Sequence, residues 1–145
     1  MDKDIEIINQ MALGLANQGK FEEAIVNFKK SLGIKPDGTV YYLLGLSYQR
    51  LKKLDEAEKS FKQALMMNEN MPQPYNGLGL IFFERGDYQK ASEYYKLAIS
   101  NNPFDFAAYN NLGNEYKKMN RAGDAIKSYL KAVKIAPQKA EPYNN

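Results

Sequence analysis

Apolar residues recur along this chain at helical rather than strand spacing. Tyr75, Leu78, Gly79 and Phe82 stand at i, i+3, i+4 and i+7, which gathers them on one stripe of a helix. Gly86-Asp87 then breaks that helix and starts another. The second helix carries Ala91, Tyr95 and Ala98 on one face. Asn101-Asn102-Pro103 ends it, because proline cannot continue a helix and pushes the residue before it out of the α region. Two helices with facing stripes predict a hairpin.

The hairpin repeats. Gly45, Gly79 and Gly113 are spaced by 34 residues, and so are Ala57, Ala91 and Ala125. Phe61, Tyr95 and Tyr129 form a third ladder, and Ala64, Ala98 and Ala132 a fourth. Pro103 and Pro137 close the last two copies. A weaker copy leads, with Ala24, Phe28, Ser31 and Pro36 at the same internal spacing but 33 residues from the next. The missing residue falls between Pro36 and Gly45, where Asp37-Gly38 predicts a tight turn. The units lie at about 5–37, 38–71, 72–105 and 106–139. Gly79 and Ala91 sit where two helices must approach closely, and the aromatics fill the wider gaps.

This pattern resembles the tetratricopeptide repeat (TPR) family, whose 34-residue unit has aromatic, Leu, Gly, Tyr, Ala, aromatic, Ala and Pro at set places. Unit three has a match at every place: Tyr75, Leu78, Gly79, Phe82, Ala91, Tyr95, Ala98 and Pro103. Unit four does the same with Tyr109, Leu112, Gly113, Tyr116, Ala125, Tyr129, Ala132 and Pro137. Unit two departs only at Glu69, in the proline place. Unit one is degenerate in its first helix, with Ile8, Met11, Ala12 and Leu15. An unrelated helical bundle gives no reason for this period. The resemblance implies an all-α fold, a right-handed superhelical α-solenoid of antiparallel helix-turn-helix units.

The resemblance also implies a concave groove lined by the first helix of each unit. It assigns to that groove Asn9 and Leu13 of unit one, and Tyr42, Leu43, Leu46, Gln49 and Arg50 of unit two. From unit three it takes Asn76, Leu80 and Phe83, and from unit four Asn110, Asn111, Asn114 and Lys117. Leu13, Tyr42, Leu43, Leu46, Leu80 and Phe83 form an apolar strip that the hairpins are not expected to need for their own packing. Such a strip marks a protein-binding surface; the competing reading packs it against a neighbouring helix. Asn9, Asn76, Asn110 and Asn111 make an amide ladder able to pair with a ligand backbone, or else a solvated polar face. One subclass of the family clamps acidic C-terminal peptides with Lys and Arg. The matching places hold Tyr42, Leu46, Gly77, Ala107 and Asn111, or Asn9, Leu13, Leu43, Gln73 and Gly77, so neither register supplies the cations. Lys117 and Lys118 either meet an acidic stretch of ligand or are solvated at a helix end that favours them.

Residues 140–145, Ala140-Glu141-Pro142-Tyr143-Asn144-Asn145, repeat the opening of unit three, Pro72-Gln73-Pro74-Tyr75-Asn76-Gly77. They read as the start of a fifth unit or of a capping helix. A stacked array needs a covered end. Either the natural chain continues, or the open C-terminal face docks another copy end to end.

Composition narrows the chemistry. Of 145 residues, 44% are hydrophobic and 26% charged, enough apolar material for a core and too much for disorder. A net charge of +3 does not point to nucleic acid. Without His or Cys there is no common general base, soft metal ligand or disulfide, and no cofactor or enzymatic activity is expected. Glu22-Glu23 and Asp55-Glu56 suit the positive ends of second helices. No apolar run is long enough for a membrane span, so no direct membrane insertion is expected, and no secretory signal opens the chain; the expected location is cytoplasmic. The expected function is a scaffold or adaptor that holds a partly apolar protein or peptide segment in the groove. The alternatives are an end-to-end self-assembling module, or a TPR arm of a larger protein such as a protein-modifying transferase.

Overall fold

A computed structural model describes residues 2–137; the partial fifth unit read at 140–145 lies outside the described residues. Eight helices follow one another: α1 Asp2–Asn17, α2 Phe21–Ile34, α3 Gly38–Arg50, α4 Leu54–Met67, α5 Pro72–Glu84, α6 Tyr88–Asn101, α7 Phe106–Lys118 and α8 Ala122–Ile135. No strand occurs among the described residues. The helices fall into two compact units, one up to Asn70 and one from Met71. In the first, α1 packs on α2 and α3 on α4, with α2 joining the two hairpins through α3. In the second, α5 packs on α6 and α7 on α8, with α6 joined to α7.

Local chemistry sets the helix ends. Each hairpin turns through one residue of left-handed backbone: Gly19, Lys52, Gly86 and Asn120, with φ of 79°, 60°, 82° and 59°. Glycine adopts this conformation without strain and asparagine tolerates it, whereas Lys52 carries a steric cost. Three first helices or returns begin on an aspartate whose side chain accepts from the first turn. Asp37 accepts from Val40 N at 3.0 Å, Asp87 from Lys90 N at 3.2 Å and Asp105 from Ala108 N at 3.1 Å. Asp37-Gly38 is therefore the cap and first residue of α3 rather than a separate turn. Glu22-Glu23 and Asp55-Glu56 fall in the first turns of α2 and α4, where the helix dipole favours carboxylates.

The ladders read from the sequence form the core. Ala24, Phe28, Ala57, Phe61, Ala64, Ala91, Tyr95 and Ala98 have no exposed surface. A Cβ on Gly45 would stand 2.7 Å from two atoms of the Phe61 ring. At Gly79 and Gly113 it would drive into the rings of Tyr95 and Tyr129. Glycine here is a matter of space, since the ring of the second helix stands where a β-carbon of the first would lie.

One core residue breaks the apolar pattern. Ser47 of α3, Ile81 of α5 and Glu115 of α7 occupy the same place in successive repeats, and Glu115 is fully buried. Ser92 of α6 donates its hydroxyl to Glu115 Oε1. Glu115 Oε2 and the Tyr95 hydroxyl oxygen are buried without a hydrogen-bond partner. Burial holds the Glu115 carboxyl above the usual carboxylate range, while the Ser92 hydrogen bond and the charges of Lys96 and Arg121 pull it back. Burial also pushes the Tyr95 phenol up, helped by the charges of Glu115 and Glu84.

Two outcomes follow from this packing. Gly79→Ala should destabilise the α5–α6 hairpin by about 1–3 kcal/mol, measured by urea denaturation; an unchanged midpoint would mean that the Tyr95 ring yields freely. The folded state binds the Glu115 proton more tightly than the unfolded state. Stability should therefore fall as pH rises above about 4.3, through the raised value. Glu115→Gln keeps an acceptor for Ser92 and removes the ionisation. Its melting temperature should decline less from pH 5 to pH 8 than that of the natural sequence; parallel pH curves would show that the carboxyl binds its proton no more tightly in the folded state.

Candidate functional site

In the first unit, α1 and α3 lie side by side and bound two cavities, of about 430 and 550 Å³. Leu13 and Leu43 line both, so the cavities share an apolar wall. Leu13 is 42% exposed, unusual for a leucine flanked by so much apolar surface. The smaller cavity also takes in Asn9, whose Oδ1 is buried with no hydrogen-bond partner. Its rim carries Asp2, Glu6 and Asp37 against one cation, Lys35, so this end is acidic. The larger cavity adds Leu46, Phe28, Phe21 and Arg50. The Arg50 guanidinium lies over the Phe21 ring, 5.9 Å from its centroid, which holds the charge at the cavity edge.

Other predicted residues of this unit serve differently. Gln49 is half-buried on α3 and lines neither cavity. Tyr42 was expected to be spare from hairpin packing, and the structure corrects this: its ring is 5.9 Å from that of Phe61 on α4. Because Phe61 lies flat against Gly45, the space beside it on α3 is filled by the neighbouring tyrosine.

The second unit makes the same correction for Phe83. That ring lies 5.4 Å from Tyr88 and packs against the cluster of Phe82, Ala91, Tyr95 and Leu112. Leu80 is half-buried on α5. The amides are not uniform. Asn76 Nδ2 donates to Asp105 Oδ2 at 2.8 Å, tying α5 to the capping residue of α7, and its Oδ1 is buried without a partner. Asn114 Oδ1 accepts from the Tyr129 hydroxyl at 2.5 Å, a link within the α7–α8 hairpin. Asn110 and Asn111 are half-buried on α7, and Lys117 with Lys118 is exposed in its last turn.

The structure thus brings together Asn9, Leu13, Leu43, Leu46 and Arg50 around one groove. Tyr42 and Phe83, both half-buried, also touch rings of their own hairpins, and Asn76 and Asn114 are engaged in hydrogen bonds. Of the charged rim, Asp37 and Lys35 were missed. Asp37 before Gly38 and an apolar stripe was a helix-start signal that would have placed its carboxylate beside α1. No helix among the described residues is long and apolar enough to cross a membrane.

Comparison with known proteins agrees with the repeat geometry. Descriptions of the tetratricopeptide repeat match residues 9–74, 42–106 and 106–139. Human tetratricopeptide repeat protein 13 is 30% identical over 112 residues, covering 77% of this chain and 13% of that protein. The human protein O-mannosyl-transferase TMTC3 is 27% identical over 156 residues, covering 94% of the chain and 17% of that protein. The peroxisomal targeting signal receptor of Saccharomyces cerevisiae is 26% identical over 153 residues, covering 94% and 24%. The chain therefore spans less than a quarter of each of these relatives. Among solved structures, MamA superposes with a TM-score of 0.82 at 25% identity, covering 94% of this chain and 81% of that one. Helical hairpins at a 34-residue period, glycines pressed on rings and matches along nearly the whole described length have one explanation: the chain belongs to the tetratricopeptide repeat family, and its fold class is the all-α solenoid of antiparallel helix-turn-helix units.

Proposed function

We propose that this chain is a protein-binding scaffold that holds a partly apolar segment of a partner in the groove between α1 and α3, and that it acts by binding without catalysing a reaction. The observation that carries the reading is the shared apolar wall of Leu13 and Leu43 with Leu46 beside it, open on a helix face. An aliphatic or aromatic anchor of the ligand would fill that wall. The acidic rim of Asp2, Glu6 and Asp37 favours a basic residue next to the anchor. Asn9 offers an amide at the same wall, where its uncompensated oxygen costs about 1–3 kcal/mol until it finds a donor. Relatives named as a targeting-signal receptor and as an Hsp70-Hsp90 organising protein support a binding role. The missing Lys and Arg places weigh against an acidic-peptide clamp. The cytosol is the compartment we assign to this activity.

A second reading treats the chain as the binding arm of a larger protein-modifying transferase. It draws on the likeness to TMTC3, of which the chain spans 17%. In that reading the groove presents the substrate protein rather than a stable partner.

Selection of a displayed random-peptide library on the purified chain tests the groove. Enriched peptides should share an apolar anchor with a basic neighbour. Leu13→Glu with Leu46→Glu should weaken them by about tenfold or more, the equivalent of about 1.4 kcal/mol, while helical content is kept. Peptides that bind the double variant as well as the natural chain would exclude this groove.

A further inference from the structure

The two cavities between α1 and α3 follow one another along the helices. The smaller is lined by early residues of both, among them Glu6 and Asn9 of α1 and Asp37 at the start of α3. The larger is lined by later ones, among them Ala16 and Asn17 of α1 and Leu46 and Arg50 of α3. Leu13 and Leu43 lie where the two meet. The two helices therefore run in the same direction, and the groove between them has two distinct ends. Both of its walls are helices of the described chain.

Charge separates along this groove. The early end carries Asp2, Glu6 and Asp37 against Lys35. The late end carries Arg50 and, among the described residues lining it, no carboxylate. Neither charge is left to wander. The Asp37 carboxylate is tied to Val40 N at 3.0 Å, and the Arg50 guanidinium rests over the Phe21 ring. A ligand with like charges at both ends would set one of them against its own sign, which costs affinity as well as register.

The helix supplies the ruler. Arg50 follows Asp37 by thirteen residues, about 20 Å of axial rise. A fully extended segment covers that distance in about six residues. Asn9 favours the extended form over a helix. Its amide oxygen is buried without a hydrogen-bond partner, beside the early cavity. An extended backbone has N–H groups to donate, whereas a helix spends its own internally.

We propose that the groove takes an extended peptide segment of mixed charge. A lysine or arginine lies at the Glu6 and Asp37 end, an apolar side chain on the Leu13–Leu43 wall, and an aspartate or glutamate at Arg50, with the two charges about six residues apart. This rests on the reading of the groove as the binding surface, and adds to it the order and spacing of the ligand's charges.

Titration of labelled synthetic peptides of equal length, followed by fluorescence anisotropy at low salt, tests the proposal. Each peptide has central leucines. One carries lysine and glutamate six residues apart, one lysine at both places, one glutamate at both, and one lysine and glutamate side by side. The first should bind about tenfold or more tighter than the others, and its lead should shrink as salt is added. Arg50→Glu should move the preference to the two-lysine peptide, and Glu6→Lys to the two-glutamate peptide. Both residues are exposed, so helical content should hold. Arg50→Gln, a milder change, should bring the mixed and two-lysine peptides level. If the peptides bind alike, yet Leu13→Glu with Leu46→Glu still removes binding, the groove reading stands and the charge order is overturned. If none binds the natural chain, both fall. An Arg50→Glu chain that keeps the order of preference of the natural chain also overturns the proposal, since the late end would then read no charge.

Discussion

The contact on which each hairpin depends is a flat aromatic ring pressed against a bare stretch of helix. Phe61 lies on Gly45, Tyr95 on Gly79 and Tyr129 on Gly113, each closer than any β-carbon would allow. Dispersion falls steeply with separation, so the interhelical distance fixed at this point governs what every other side chain of the hairpin can reach. The buried alanines follow from it, since a larger residue at Ala57 or Ala91 would prise the helices apart. The ring contacts of Tyr42 and Phe83 belong to the same packing: Tyr42 meets Phe61, and Phe83 packs beside the cluster that holds Tyr95.

That constraint is why most of the fold was legible in the sequence. A glycine, an alanine and a ring at set intervals leave few ways to pair two helices, and repetition of the set removes the ambiguity that one copy would carry. Gly86-Asp87, read as a restart, does cap α6, whereas Asp37 was read as part of a turn and caps α3 instead. The groove was legible only in part. Leu13, Leu43 and Leu46 line the cavities beside α1 and α3. Tyr42 and Phe83 could not be sorted from them by spacing, because the side of a helix a ring favours depends on the volume left by its neighbours. The hydrogen bonds of Asn76, one of the amide ladder, and of Asn114 were not legible for a similar reason, since their partners Asp105 and Tyr129 are distant along the chain. Glu115 was not singled out at all. In composition it is one acidic residue among many, and only its place in the repeat marks it as interior.

The groove beside α1 and α3 mixes its surface chemistry: leucines are interrupted by the Asn9 amide and bordered by the carboxylates of Asp2, Glu6 and Asp37. Such a mixture is more polar than the interior of the hairpins, where alanines, glycines and rings meet without charge.

The two interior junctions, though built to one plan, differ in what holds them. In α2 and α3 the places equivalent to Ser92 and Glu115 hold Ile25 and Ser47, both buried and without an ionisable group. Between α6 and α7 they are Ser92 and Glu115, and the buried carboxyl is at ease there only while it keeps its proton. Shape is repeated from one junction to the next, but chemistry is not. A rise in pH through the raised value of that carboxyl therefore acts at the α6–α7 junction and has no counterpart at the Ile25 and Ser47 places of the first unit.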